Sequence, residues 1–216
     1  MSTINESLDT DKALSPDEVA SGLKEALILG TNKAVDFAGA ENRFWTNSKL
    51  RIPFPEEAEK VKTTATNLGL GSQVERFEEN LNHAAEKAVA HATPIFVEAL
   101  TFMSIDDAFS ILNGGENAAT QYLRQTTEED LAEAFRPEVS KAINEVDLTK
   151  YWEPLASAYN TTSVFTGAEN IDPDLENYVT EKAMNGLFLL IAEEEKNIRE
   201  NPAARVTDLL EKVFGR

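Results

Sequence analysis

The side chains able to do chemistry in this chain are its carboxylates and two histidines, His83 and His91; there is no cysteine. Disulfides, thiolate nucleophiles and thiolate-held metals are therefore excluded. The histidines stand eight residues apart in a helical stretch, about 12 Å along the axis. A shared metal ion needs them on adjacent turns, four apart, so two polar-face histidines is the better reading. Asp172-Pro173-Asp174-Leu175-Glu176 sets three carboxylates within five residues. Asp172, Asp174 and Glu176 are the candidate metal ligands, and oxygen-rich clusters of this kind suit calcium. Their spacing is not that of an EF-hand loop, and carboxylates in a first helical turn also complement the helix dipole.

Two other stretches invite a site. Asn113-Gly114-Gly115 precedes a helix and would offer N–H groups to an anion. It carries no lysine, and Glu116 sits where the anion would lie, so a tight turn with the glycines at positive φ is the expectation. Glu193-Glu194-Glu195 runs into Lys196 and Arg199. Glu195–Arg199 (i, i+4) and Glu193–Lys196 (i, i+3) read as pairs on a solvated helix face. Glu194, seven residues after Leu187, is the carboxylate expected to be partly buried. No Ser-His-Asp set, zinc motif, phosphate-binding loop or dinucleotide fingerprint is present. Carboxylate-only catalysis depends on through-space distances that sequence does not supply.

The elements that must position these residues are helices. Ser15-Pro16-Asp17-Glu18 is a capping box with proline in the first turn, and Val19, Leu23, Ala26, Leu27, Ala34, Val35 and Ala38 recur at helical spacing up to Gly39. Ala40 to Pro55 has two prolines and no period. Long connections of this kind are functional or packed, and Phe44, Trp45, Ile52 and Phe54 point to a strap pinned on the core. Helices follow over 56–68, ending at Gly69, and from 72, interrupted by Pro94 and resuming to Met103. Ser104-Ile105-Asp106-Asp107 caps a short helix. Further helices are expected over 116–124, 127–146 (interrupted near Pro137), 148–158, 172 onward and from Asn201-Pro202. No strand pattern and no fixed repeat appears. The expected fold is all-α: a tail over 1–14 with no order, then a single domain over 15–216, a bundle of about eight helices with long loops near 40–55 and 160–173.

The charge bounds the partners. Thirty-eight acidic against 20 basic residues give −18, and residues from 101 onward carry 22 of the acids and 10 of the bases. Such a field repels phosphate backbones and anionic membranes, and Lys49-Leu50-Arg51 with Lys60 and Lys62 is too sparse for a basic patch. Nucleic acid is excluded as a partner. The longest apolar run, Gly186 to Ala192, is far short of the roughly 20 residues of a membrane span.

The chain resembles the bacterial family catalogued as domain of unknown function 4197. The resemblance runs from Gly22-Leu23-Lys24-Glu25-Ala26-Leu27 to Phe214-Gly215. It is carried by Arg51-Ile52-Pro53, Leu68-Gly69-Leu70-Gly71, Asn82 with Ala84-Ala85-Glu86, Ile111-Leu112-Asn113-Gly114-Gly115 with Ala118-Ala119-Thr120, Tyr178-Val179-Thr180-Glu181-Lys182-Ala183, Ile191-Ala192-Glu193-Glu194-Glu195 and Asn201-Pro202. The family has no established activity, so the resemblance transfers no site residue. Its members usually bear an export signal, in some cases of lipoprotein type, which implies a periplasmic or envelope location. The polar start here implies that such a signal is missing from this sequence, the alternative being a cytoplasmic protein. The leading functional reading is a non-enzymatic binding or structural protein, with an unidentified protein partner or small ligand and no resident cofactor. The alternatives are a small-ligand or calcium-binding module and, last, a carboxylate-based hydrolase.

Overall fold

The computed structural model describes residues 14–55, 59–67, 69, 71–145, 157, 160–161 and 174–201. Leu14 and Ser15 lead into α1 (Pro16–Ala38) through the expected capping box: the Ser15 hydroxyl accepts from the Glu18 N–H and the Glu18 carboxylate from the Ser15 N–H. A strap follows, with one helical turn, α2 (Arg43–Thr46), near its start. Then come α3 (Glu59–Asn67), α4 (Gly71–Val89), α5 (Thr93–Phe102), α6 (Ile105–Leu112), α7 (Ala118–Glu145) and α8 (Leu175–Glu200). Every described element is helical. Among the described residues six helices, rather than the expected about eight, build the core; of the other two, α2 is a single turn and no described side chain of α3 is buried.

The difference in count has a physical cause. The two helices expected over 116–124 and 127–146 are one helix, α7, with Pro137 inside it. Thr126 and Thr127 act as continuation residues and not as caps, because their hydroxyls donate to the Tyr122 and Leu123 carbonyls one turn back. Proline inside a helix costs about 3 kcal/mol or more. Burial of Leu131 and Phe135 before it, and of Val139, Ala142 and Ile143 after it, holds the helix together. Pro94, by contrast, does separate two helices, and it sits in the first turn of α5. The helices expected over 148–158 and beyond Asn201-Pro202, the loop at 160–173 and the tail fall wholly or mostly outside the described residues.

The helix α8 is the spine. It packs on α1, α4 and α7, and α7 runs antiparallel to it, with Arg136 reaching Asn177, Arg124 reaching Asn185 and Glu195 reaching Thr120. Val179, Ala183, Leu187, Phe188 and Ile191 bury its inner face, with Phe96 meeting Phe188 edge-on at 6.0 Å. One apolar cluster joins all six helices and the strap. No helix among the described residues is long and apolar enough to cross a membrane.

Candidate functional site

Three carboxylates, Glu78, Glu86 and Glu195, are buried among the described residues. Two of them, with Asn82 between, form a ladder on α4 at one-turn intervals, and the strap lies along it. The Glu86 carboxylate accepts from the N–H groups of Asn42 and Phe44 at 3.1 and 2.8 Å, closing the start of α2. Asn82 reads the Ile52 backbone in both directions, accepting from its N–H at 2.7 Å and donating to its carbonyl at 2.8 Å. Its amide also donates to the Glu78 carbonyl at 2.7 Å. Glu78 receives Lys62 at 2.8 Å, Arg51 at 3.0 Å and the Phe54 N–H at 3.3 Å. Burial pushes the Glu78 carboxyl up, but those cations and the N–H outweigh it and hold it below its ordinary value.

The strap's aromatic anchors lie as expected. Phe44, Ile52 and Phe54 are buried, and Trp45 is half-buried with the Arg51 guanidinium 3.9 Å over its ring. The polar ladder beneath them is what sequence reasoning missed. Its signal was there: Glu78, Asn82 and Glu86 follow i, i+4, i+8 along the edge of the apolar face of Leu81, Ala85 and Val89.

At the far end of α8, Glu195 meets the first turn of α7. Its carboxylate accepts from the Ala119 and Thr120 N–H groups at 3.1 and 2.9 Å, and from the Thr120 hydroxyl at 2.8 Å. Arg199 donates to the same carboxylate at 2.9 Å and to the Ile111 carbonyl at 2.9 Å. The helix start set aside above as a site for an external anion therefore does hold a carboxylate, and it is the protein's own. This corrects one expectation: Glu195 is buried and not on a solvated face. Glu194, one position round the helix, is half-buried as expected and accepts twice from Lys33, at 2.7 and 2.8 Å. Glu193 pairs with Lys49 of the strap instead of Lys196, which reaches Glu200 at 3.8 Å.

The Asn113–Gly115 turn is a tight turn as expected, but not through positive φ, which among the described glycines is found only at Gly69. Gly114 is required for space: a Cβ there would lie 2.5 Å from the Ala118 Cβ and 2.9 Å from the Ser110 carbonyl. Glu116 precedes α7 and is not in its first turn.

The candidate metal ligands are not assembled around a common point by the residues described. Asp174 caps α8, accepting from the Asn177 N–H at 3.0 Å, and Glu176 accepts from the Ser140 hydroxyl at 2.6 Å. Asp172 lies outside the described residues. Among the described residues no group of three His, Asp or Glu side chains could hold a metal ion. His83 approaches Asn42 at 3.3 Å and His91 approaches Glu138 at 3.9 Å, so the two imidazoles serve different elements.

Two of the sequence blocks that carry the family resemblance lie at these two places. Arg51-Ile52-Pro53 lies against Asn82, and Ile111 to Thr120 lies against Glu195. Neither a curated protein nor a solved structure matches the chain. The model of the family described as "Protein of unknown function (DUF4197)" matches residues 13–215, and the chain belongs to that family.

Proposed function

We propose that the chain is a non-enzymatic binding or interaction protein of the bacterial envelope, presenting an acidic helical surface to a basic protein partner. One observation carries the reading: the three buried carboxylates of the described residues spend their acceptor capacity on internal donors. Glu86 holds the start of α2, Glu195 the start of α7, and Glu78 is saturated by Lys62, Arg51 and the strap backbone. A general base needs a lone pair that reaches substrate, and a general acid needs a carboxyl held protonated near neutrality. Glu78 is biased the opposite way, toward ionisation.

Most of the other acids among the described residues are exposed, and the chain's net charge of −18 favours cationic partners and speeds encounter with them. The envelope location rests on the export signals usual in the family.

The test is photo-cross-linking in cells from exposed positions such as Glu133 and Phe102, with cell fractionation and broad esterase, phosphatase and glycosidase screens. The expected result is a discrete protein adduct in the envelope fraction, weakened at about 1 M salt, where screening acts within about 3 Å, and no turnover. Turnover abolished by Glu86→Gln or Glu195→Gln, in variants whose helical signal is intact, overturns the reading.

A further inference from the structure

We propose that the α5–α6 corner, with Phe102 at its tip, is a docking site for a basic segment of a partner protein, an arginine or lysine of that segment lying over the Phe102 ring. The inference rests on the interaction-protein reading above and names its surface.

Phe102 is 80% exposed and Ile105, three residues on, is 41% exposed. The corner that carries them is rigidly built. Met103 between them is buried and its N–H bonds to the Leu100 carbonyl. Ser104 and Asp107 form a reciprocal capping box, the hydroxyl donating to the carboxylate at 2.6 Å, and Lys24 of α1 donates to the Thr101 carbonyl at 3.2 Å. The backbone on both sides of Phe102 is therefore fixed. An aromatic side chain on a fixed backbone is a low-entropy anchor, because little is left to order on binding.

The choice of a basic occupant comes from what this chain does with its other rings. Arg43 lies 4.8 Å over Phe37, Arg51 3.9 Å over Trp45, Arg124 4.4 Å over Phe188 and Lys182 5.5 Å over Tyr178. Among the described residues no cation lies over Phe102, the most exposed of the large hydrophobic side chains. Glu98, one turn before it on α5, and Asp106, beside Ile105, are exposed carboxylates. The cation tied to this corner, Lys24, is committed to a backbone carbonyl. A ring face, an apolar neighbour and two flanking acids fit a segment that alternates Arg or Lys with an apolar residue. A second copy of this chain offers such a pattern at Lys49-Leu50-Arg51-Ile52, but Leu50 and Ile52 are buried and Lys49 and Arg51 are paired with Glu193 and Glu78, so that segment is already occupied.

The probe is a short amidated peptide with two arginines and two leucines, titrated into the isotope-labelled full chain and followed by amide chemical shifts. Its glutamate-for-arginine counterpart is the control. The expected shifts centre on Phe102 to Asp106, are absent with the control, and report an affinity about two- to fivefold weaker in Phe102→Ser, the factor expected for one exposed cation–π contact. Phe102 is solvent-exposed, so this variant keeps its fold; Glu98→Lys with Asp106→Lys provides an independent second loss. Shifts spread over the acidic surface and indifferent to Phe102→Ser overturn the corner while leaving the acidic-surface reading standing. No binding overturns the corner alone, since cross-linking and turnover judge the broader reading.

Discussion

Glu195 and Arg199, one turn apart on α8, close both ends of the α6–α7 corner. The carboxylate sits on the first N–H groups of α7, where the helix dipole is positive, and the guanidinium sits on the Ile111 carbonyl near the end of α6, where it is negative. The carboxylate thereby caps α7, while the guanidinium adds to a local cap of α6 in which the Gly114 N–H also reaches the Ile111 carbonyl, and the pair is itself joined at 2.9 Å. Such a pair is stabilising only as a unit, because either charge alone would be left desolvated.

Removing one partner should consequently cost far more than the pair is worth. Glu195→Ala takes the acceptor from the Ala119 and Thr120 N–H groups and the carboxylate from Arg199, and should lower stability by about 3–5 kcal/mol. Glu195→Gln retains one acceptor and should cost less. Denaturant unfolding of both single variants and of Glu195→Ala with Arg199→Ala gives the coupling. A double variant whose loss equals the sum of the two singles would show that the residues act independently.

Gly186 faces the strap across a narrow gap. A Cβ there would come 2.9 and 3.1 Å from two ring carbons of Phe44 and 3.4 Å from the Leu50 side chain. Gly186→Ala gains up to about 1 kcal/mol in helix propensity, against an overpacking cost of about 1–3 kcal/mol. The net expectation is destabilisation, with the strap displaced. Trp45 emission, recorded in a Trp152→Phe background, should shift, and Phe44→Leu should restore it. A more stable Gly186→Ala protein with unchanged emission would contradict the packing.

How far the fold was legible depends on the range of the interactions. Local chemistry wrote the helix starts: Ser15 with Glu18 and Ser104 with Asp107 cap as their types and spacing indicate, while the types alone left the cap of α8 open between Asp172 and Asp174, and Asp174 takes it. The strap's apolar anchors were legible because a long connection with Phe44, Ile52 and Phe54 has few other ways to satisfy them. The continuity of α7 was not, since Thr126 and Thr127 can cap or back-bond equally well. Full burial of Glu195, beside a Glu194 that is only half-buried, turns on about 100° of rotation and on the approach of Thr120, 75 residues earlier. No local pattern contains that distance. The ladder of Glu78, Asn82 and Glu86 lay between these cases: its spacing is local, but its partner is a strap whose path is not.

Asn82 is the middle rung and its amide makes three hydrogen bonds, two of them to Ile52. Asn82→Asp keeps the shape and the acceptor but removes both donors. It leaves the Ile52 and Glu78 carbonyls facing a carboxylate, for an expected loss of about 1–3 kcal/mol for the orphaned groups. Hydrogen exchange should rise over residues 42–54 and remain unchanged in α7. Exchange rising equally in both would mean that the strap has no stability separable from the core.

Acid should loosen the same strap from its other end. The Glu78 carboxyl is held below its ordinary 4.5 by Lys62, Arg51 and the Phe54 N–H, so folding favours its ionised form. That stability is fully present above the unfolded value and is lost as pH falls through the lower folded one. Trp45 emission should be flat from neutrality to about pH 4.5 and change below it, and Glu78→Gln should abolish that component. A transition centred above pH 5 would assign the effect to another group.

Calcium binding at the start of α8 would demand carboxylates free to turn toward the ion, and two of the three candidates are already engaged. Asp174 accepts from the Asn177 N–H and Glu176 from the Ser140 hydroxyl, so recruiting them uncaps α8 and releases a contact to α7. A specific site at hundredfold excess over Kd adds about 2.7 kcal/mol, which in a chain of this size raises Tm by about 5–10 °C. The arrangement instead predicts small and equal shifts for Ca²⁺ and Mg²⁺ after EDTA treatment at matched ionic strength, as for counterions screening an acidic surface. A shift of that larger size with Ca²⁺ alone, lost in Asp172→Asn with Asp174→Asn, would instead establish a metal-dependent module, with Asp172 supplying the ligand that frees Asp174 from its cap.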